Sequence, residues 1–376
     1  MAGPLKGVRI IELAGIGPGP FACMMLADHG AEVIRVERPG GVQGGVPTDM
    51  QKDVLMRSRK VVTADLKSPQ GQQVVRDLIA SADGLVEGFR PGVTERLGLG
   101  PEEMLKLNPR LVYGRMTGWG QTGPYAQAAG HDINYIALAG ALHAYGREGG
   151  KPTPPINMIG DFGGGGMMLA FGMVSALLHA GKTGEGQVID CAMTDGASVL
   201  MSMIWTFRAQ GGWQDERGVN MLDTGAHFYD SYETKDGKYI SLGSIEPQFY
   251  RLLREKAGLD DAAWDAQMDQ DQWRALKDKL AAVIRGRTRD EWCAAMEHTD
   301  VCFAPVLSMS EAPLHPHNVE RGTFVEAGGV VQPRPAPRYS VTQNDMPVMW
   351  DGSIQTEAVL RGIGYDDEKL RAAGVI

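Results

Sequence analysis

The sequence predicts an α/β protein: a large domain built on a parallel sheet with helices on both faces, and a smaller α+β domain. Three observations carry this. Through about residue 205, short apolar runs alternate with helical patterns, as in βαβ units. Near Gly211 the pattern changes to two alternating strands around Asp236-Gly237, the strongest short-range hairpin signal. The length, 376 residues, suits two domains, each with its own core.

The elements follow in order. Val8–Leu13 is an apolar run suited to a buried parallel strand. Gly15-Ile16-Gly17-Pro18-Gly19-Pro20 is a tight turn, Phe21–His29 a helix closed by Gly30, and Glu32–Val36 a second strand. Strands over Lys60–Asp65, Gly84–Gly88, Leu111–Met116 and Gly186–Cys191 continue the sheet. Helices are expected over Gln70–Ser81, Met167–Ala180 and Ala197–Gln210. In the second domain, Phe228–Thr234 and Lys238–Gly243 pair as a hairpin, and amphipathic helices follow to about Glu297. After a Pro/Arg-rich crossing at Gln332–Arg338, a helix at Ile354–Gly362 returns to the first domain. This assigns 1–205 and 330–376 to the large domain and 206–329 to a linker and the small domain.

Composition excludes several classes. The net charge is −9 and no dense Lys/Arg tract is present, which argues against nucleic acid as a partner. The four cysteines, Cys23, Cys191, Cys293 and Cys302, are dispersed with no CxxC pair. They read as reduced and mostly buried, in a cytoplasmic setting without structural zinc. No secretory h-region opens the chain, and the apolar run Met167–Ala180 is too short to span a bilayer, so no membrane association is expected. Glycine is the outlier, 50 of 376 residues against an average of about 7%.

The first glycine-rich turn imitates a dinucleotide-binding loop, with Glu37 as the ribose-binding acid. The match fails at Pro20, and Pro18 and Pro20 remove two N–H donors. A plain strand-to-helix turn is the better reading.

Three segments place polar groups in glycine-rich or apolar surroundings: Gly130-His131-Asp132-Ile133-Asn134-Tyr135, Gly160-Asp161 followed by Phe162 and Gly163–Gly166, and Ser244-Ile245-Glu246-Pro247. Asp161 falls at or near a helix N-terminus, where the dipole favours negative charge. As an isolated residue it would be an N-cap. Four glycines at a helix start are costly, however, and a ligand pressing on bare backbone would explain them. Glu246 before Pro247 also reads as a cap, and His131 as a structural histidine. A histidine beside a carboxylate could instead titrate usefully near neutral pH.

At these residues the chain resembles the α-methylacyl-CoA racemases, within the family III CoA-transferase superfamily. The resemblance spans nearly the whole chain. It rests on Gly15–Pro39, Thr63–Ser68 (TADLKS), Phe89–Gly100, Arg115–Pro124 (RMTGWGQTGP), Ala129–Tyr135 (AGHDINY), Gly160–Gly165 and Gly186–Asp195. It implies a Rossmann-like large domain, an interlocked homodimer, and an active site where the large domain of one subunit meets the small domain of the other. It further implies racemisation beside a thioester carbonyl without metal or cofactor, coenzyme A being part of the substrate. By resemblance His131 is a base and Asp161 the opposing acid, each reversing its role with direction. Glu246 holds the imidazole across the dimer, and Asp132 is a secondary neighbour. The acyl-CoA thioester would be bound by Arg38, Ala64, Asp65, Leu66, Lys67, Arg90, Gly130, Ile133, Asn134 and Tyr135. Met167, Met168, Met201 and Met203 are candidates for an acyl-chain surface, with core packing the simpler account of most of them.

The alternative within the superfamily is a CoA-transferase with Asp161 as nucleophile. Histidine at 131, where the transferases usually carry an aromatic residue, favours the racemase. So does the sequence Gly218–Gly225 (GVNMLDTG), where the transferases tend to carry a glycine run.

Overall fold

The computed structural model describes residues 2–40 and 49–375. They separate into two compact units. One comprises Met1–Ala139, Ile156–Leu200 and Arg321–Ile376; the other comprises Gly140–Pro155 and Met201–Glu320. Residues 140–155, read from sequence with the large domain, thus group with the second unit.

The first unit is a six-stranded parallel sheet in the order β3-β2-β1-β4-β5-β6. Its strands are β1 (Arg9–Leu13), β2 (Glu32–Glu37), β3 (Arg59–Thr63), β4 (Gly84–Glu87), β5 (Val112–Thr117) and β6 (Gln187–Ala192). The helices among them are α1 (Pro18–Asp28), α2 (Pro69–Ala80), α3 (Val93–Arg96), α4 (Pro101–Leu107), α5 (Asp132–Leu138), α6 (Met168–Thr183) and α7 (Met193–Leu200). Successive side chains alternate across the sheet. Ile11, Ile34 and Leu85 therefore join a core on one face, with Leu78, Leu99 and Tyr113. Ile10, Val33 and Val86 join a core on the other face, with Cys23, Leu26, Leu169 and Met173. Each fully buried Ile or Leu contributes about 1.5–3 kcal/mol. The C-terminal tail returns to this unit as expected and supplies Val359, Leu360 and Leu370 to the first core. It also caps the edge strand β3: Gln355 N–H donates to Val61 O at 2.7 Å, and Thr63 N–H to Thr356 Oγ1 at 2.9 Å.

The strand order reverses between β1 and β4. Connections leave the carboxyl ends of these strands in opposite directions and open a crevice there, the usual ligand position in such sheets.

Several boundaries differ from expectation for local reasons. Helix α1 starts at Pro18, because Gly17 takes a left-handed φ of 69° and Pro18 needs no N–H in the first turn. The expected helix Ala197–Gln210 is two helices, α7 and Ser202–Ala209, broken at Met201. Apolar periodicity does not mark that break because both halves carry it. The largest difference lies ahead of α6. The stretch Met158–Met167, glycines included, is a wide π-helical segment running directly into it. The helical run is therefore Met158–Thr183, 26 residues holding an 18-residue window of mean hydropathy 1.4, long and apolar enough by length and composition to cross a membrane. The argument that it is too short is overturned. Leu169, Met173, Ala176 and Ala180 on one side are buried in the core, while Phe171, Val174 and Leu178 are exposed.

The second unit contains an antiparallel sheet, β7 (Tyr229–Glu233), β8 (Tyr239–Gly243) and β9 (Phe303–Val306), in that order. Gly237 at φ 71° makes the predicted hairpin turn. Helices Pro247–Ala257, Gln270–Ile284 and Arg289–Met296 cover the sheet through a core that includes Phe228, Tyr232, Leu253, Trp273 and Trp292. Arg217 ties residues 140–155 into this unit, donating to His143 O at 2.9 Å and Gly150 O at 2.7 Å.

Candidate active site

A cavity of about 930 Å³ opens in the crevice at the carboxyl ends of β1, β4 and β5. The Gly15–Pro20 turn, the Glu87–Pro91 loop, Thr117–Trp119, Gly130, His131, Asn134, Tyr135, Asn157 and Asp161 line it. All of these belong to the first unit.

The floor is a buried ion network that pins the turn. Glu12 accepts from Arg35 Nη1 at 2.5 Å and from Arg59 Nε at 3.0 Å. Burial opposes ionisation of Glu12, but the Arg59 and Arg35 guanidiniums more than offset it and hold its carboxyl below the usual range. Arg35 Nη2 donates to Gly15 O at 3.1 Å, and Arg59 donates to Pro20 O. Glu37, the acid of the apparent dinucleotide motif, is buried and bonded to Arg35 Nε at 2.7 Å. It belongs to the framework, consistent with a plain turn.

Asp161 lies in the first turn of the π-helical segment. Its N–H donates to Asp132 Oδ1 at 2.7 Å, and its Oδ2 accepts from Asn157 Nδ2 at 3.0 Å. A Cβ on Gly17 would stand 3.6 Å from Oδ2, so glycine there, required by its φ of 69°, also leaves the carboxylate open to the cavity. Burial pushes the Asp161 carboxyl above its ordinary range. The Asn157 amide opposes this, the Asp132 charge adds to it, and His131 opposes it.

The glycines after Asp161 have a different role from the one expected. A Cβ on Gly164 would lie 2.6 Å from Ala197 N, one on Gly165 3.0 Å from Pro18 Cβ, and one on Gly166 2.6 Å from Phe21 Cδ1. All three are buried. They let the segment pack backbone to backbone on α1 and α7; ligand approach is not what they serve. The N–H of Asp161 is likewise engaged by Asp132, so it is no bare donor for an oxyanion.

His131 is the N-cap residue of α5. Its N–H donates to Asn134 Oδ1 at 3.0 Å, its carbonyl accepts from Asn134 N at 2.8 Å, and its side chain is exposed at the cavity. Asp132, next along the helix, is buried. The fold thus brings His131, Asp132 and Asp161 together from two separate segments. Tyr135 is a wall. Its hydroxyl donates to Gly130 O, and its ring meets Trp119 edge-on at 4.7 Å. A Cβ on Gly118 would sit 2.1 Å from that ring.

The remaining candidates divide. Arg90, Gly130, Asn134 and Tyr135 line the cavity. Arg38 and Ala64–Lys67 follow β2 and β3 at the same edge of the sheet, outside the lining. Within that stretch Ala64 is buried, Leu66 packs on the core, and Asp65 Oδ1 accepts from Lys67 N at 2.9 Å. Ile133 is exposed outside the lining. Glu246, in the second unit, is the N-cap residue of helix Pro247–Ala257, yet its side chain makes no capping bond and is exposed. The simple cap reading therefore fails. Met167, Met168, Met201 and Met203 are absent from the lining, and Met167 and Met203 are exposed. Cys23 and Cys191 are buried, but Cys293 is half-buried and Cys302 exposed.

Two residues escaped the sequence reading. Asn157 stands four positions before Asp161, a spacing at which side chains pair on a helix, but the segment did not read as helical. Glu87 ends β4 and accepts from Phe89 N at 2.7 Å and Arg115 Nε at 2.9 Å, fixing the loop that carries Arg90. Among the described residues no group of three or more His, Cys, Asp or Glu side chains is placed to hold a metal ion.

Comparison with known proteins agrees with this architecture. Residues 5–352 match the profile of the family described as CoA-transferase family III. The chain is 45% identical over 369 residues to alpha-methylacyl-CoA racemase of Mus musculus, covering 97% of this chain and 95% of that one. It is 43% identical to the Homo sapiens protein of the same name, with the same coverage. A CAIB/BAIF family protein from Brucella suis superposes with a TM-score of 0.82 at 26% identity, covering 96% of this chain and all of the other.

Proposed function

Since the chain belongs to CoA-transferase family III, we propose that it interconverts the (R) and (S) forms of 2-methylacyl-CoA thioesters by a 1,1-proton transfer. The observation that carries this is that an imidazole and a carboxyl, those of His131 and Asp161, line one cavity.

An α-proton beside a thioester is a weak acid, so inversion needs a base on one face of the carbon and an acid on the other. With His131 neutral and Asp161 protonated, the imidazole takes the α-proton, an enolate forms, and the Asp161 carboxyl returns a proton to the opposite face. The reverse reaction starts from the imidazolium and the carboxylate. A carboxyl raised above its ordinary range suits both directions, because its proton is neither lost too easily nor held too tightly. Across the proposed dimer, we assign Glu246 of the partner subunit the task of holding the imidazole. Its side chain is exposed and not used in capping. Arg90 at the cavity, with Arg38 and Lys67 at the same sheet edge, would receive the phosphates of coenzyme A on an otherwise acidic protein.

We also propose a homodimer, supported by the exposed apolar row Phe171, Val174 and Leu178 and by the exposed Val199 and Leu200. No metal or separate cofactor has a role in this chemistry.

The test is incubation of a single enantiomer of a 2-methylacyl-CoA in deuterated water without an acceptor acid. Deuterium at the α-carbon together with loss of optical purity is the expected result. Transfer of CoA to an added carboxylate with no α-exchange would overturn the reading.

A further inference from the structure

Beside the proposed proton carriers sits a carboxylate with no cation to neutralise it. Asp132 is 5% exposed. Its Oδ1 accepts from the Asp161 N–H at 2.7 Å, and its Oδ2 is buried with no hydrogen-bond partner. Among the described residues no Lys, Arg or His forms an ion pair with it. The contact is enforced from the other side: a Cβ on Gly160 would stand 2.5 Å from Asp132 Oδ1, so only glycine lets the backbone close on the carboxylate. A buried charge left half-satisfied costs stability, and a fold that kept only the anchor could use a neutral side chain.

We propose that Asp132 is a positioning residue with two effects on Asp161: its Oδ1 anchors the turn that carries Asp161, and its uncompensated charge holds the proton on the Asp161 carboxyl. This rests on the reading of Asp161 as a proton carrier. Two carboxyls sharing a poorly solvated site cannot both ionise easily, and the charge of Asp132 adds to burial in raising the Asp161 carboxyl. The elements packed around Asp161 leave few other groups for this. Asp132 and His131 face it from α5 and the residue before it, and Tyr135 of α5 senses its charge. The α1 side presents Gly17, Pro18 and Phe21, and the α7 side Gly196 and Ala197, none of them titratable; Asn157 contributes a neutral amide. Burial and Asp132 raise the carboxyl, while Asn157 and His131 oppose them.

Two variants separate the effects. Asp132→Asn keeps a carbonyl oxygen for the Asp161 N–H but removes the charge; Asp132→Ala removes both. The first readout is independent of turnover: the ¹³Cγ resonance of Asp161, assigned through Asp161→Asn, is titrated in the full-length wild type and in Asp132→Asn. Asp161 is expected to titrate lower in Asp132→Asn by about half a unit or more. The acidic limb of kcat/KM for α-exchange should move to lower pH with it. Asp132→Ala should show a kcat about fivefold or more below that of Asp132→Asn, from the lost anchor. Superimposable Asp161 titrations in wild type and Asp132→Asn would overturn the electrostatic effect, and equal kcat in the two variants would overturn the anchor. If the wild type shows no α-exchange, the racemase reading fails, but the titration still decides what Asp132 does to Asp161.

Discussion

The Asn157 amide donates to Asp161 Oδ2 at 3.0 Å, across four residues of a helix too wide to be α. The bond favours the ionised carboxylate and so acts against burial and Asp132. Removing it should raise the Asp161 carboxyl further. Asn157→Ala is expected to shift the acidic limb of kcat/KM to higher pH, opposite to Asp132→Asn. A shift in the same direction for both would contradict the assignment.

His131→Ala and Asp161→Ala should each reduce racemisation by about 10²–10⁴-fold, the usual contribution of a positioned acid or base. Affinity for coenzyme A, measured by calorimetry, should stay near wild type, because neither side chain is assigned to the nucleotide. Near-normal turnover in either variant would refute its role.

Arg90→Ala and Arg38→Ala should raise KM with little change in kcat, since the nucleotide end of the substrate does not change during the reaction. Steady-state kinetics checks this. A fall in kcat at constant KM would place these arginines elsewhere.

Acid sensitivity should arise in the second unit. His227 is fully buried, its Nε2 within 2.8 Å of the Tyr250 hydroxyl and its Nδ1 without a partner. Burial, with a smaller effect of Lys277, pushes its pKa down to about 4 from 6.5. The unfolded chain then binds a proton that the folded chain refuses. This contribution to stability is intact above pH 6.5 and declines toward pH 4, by about 3 kcal/mol at most. Thermal melts from pH 7 to 4.5 should show the decline, and His227→Asn should flatten it. Parallel curves for the two proteins would exclude His227 as the cause.

Phe171 is 73% exposed and begins the apolar row on α6. Phe171→Asp should convert a dimer to monomers in sedimentation equilibrium. A wild-type chain that sediments as a monomer would remove the dimer from the proposal.

Much of the first unit was legible in the sequence because parallel strands buried on both faces read as short apolar runs, and glycine or proline punctuates them. The strands at Val8–Leu13, Glu32–Val36 and Gly84–Gly88 needed only end corrections of a residue or two. The Asp236-Gly237 hairpin was equally plain, since that pair has few other uses between alternating strands. His131, Asp161 and Glu246 stood out as polar groups in apolar or glycine-rich settings, although resemblance to a family was needed to give them roles. Only the tertiary structure decided how the pieces act. The sequence could not show that the glycines after Asp161 are helical, because four glycines argue against a helix until α1 and α7 press on them. It could not reveal Asn157 either, because the segment that pairs it with Asp161 does not read as helical, nor the buried Asp132 contact, since a hydrogen bond between side chain and backbone across 29 positions leaves no periodic trace. Local pattern determined the elements; the packing of backbone on backbone determined which of their polar groups meet.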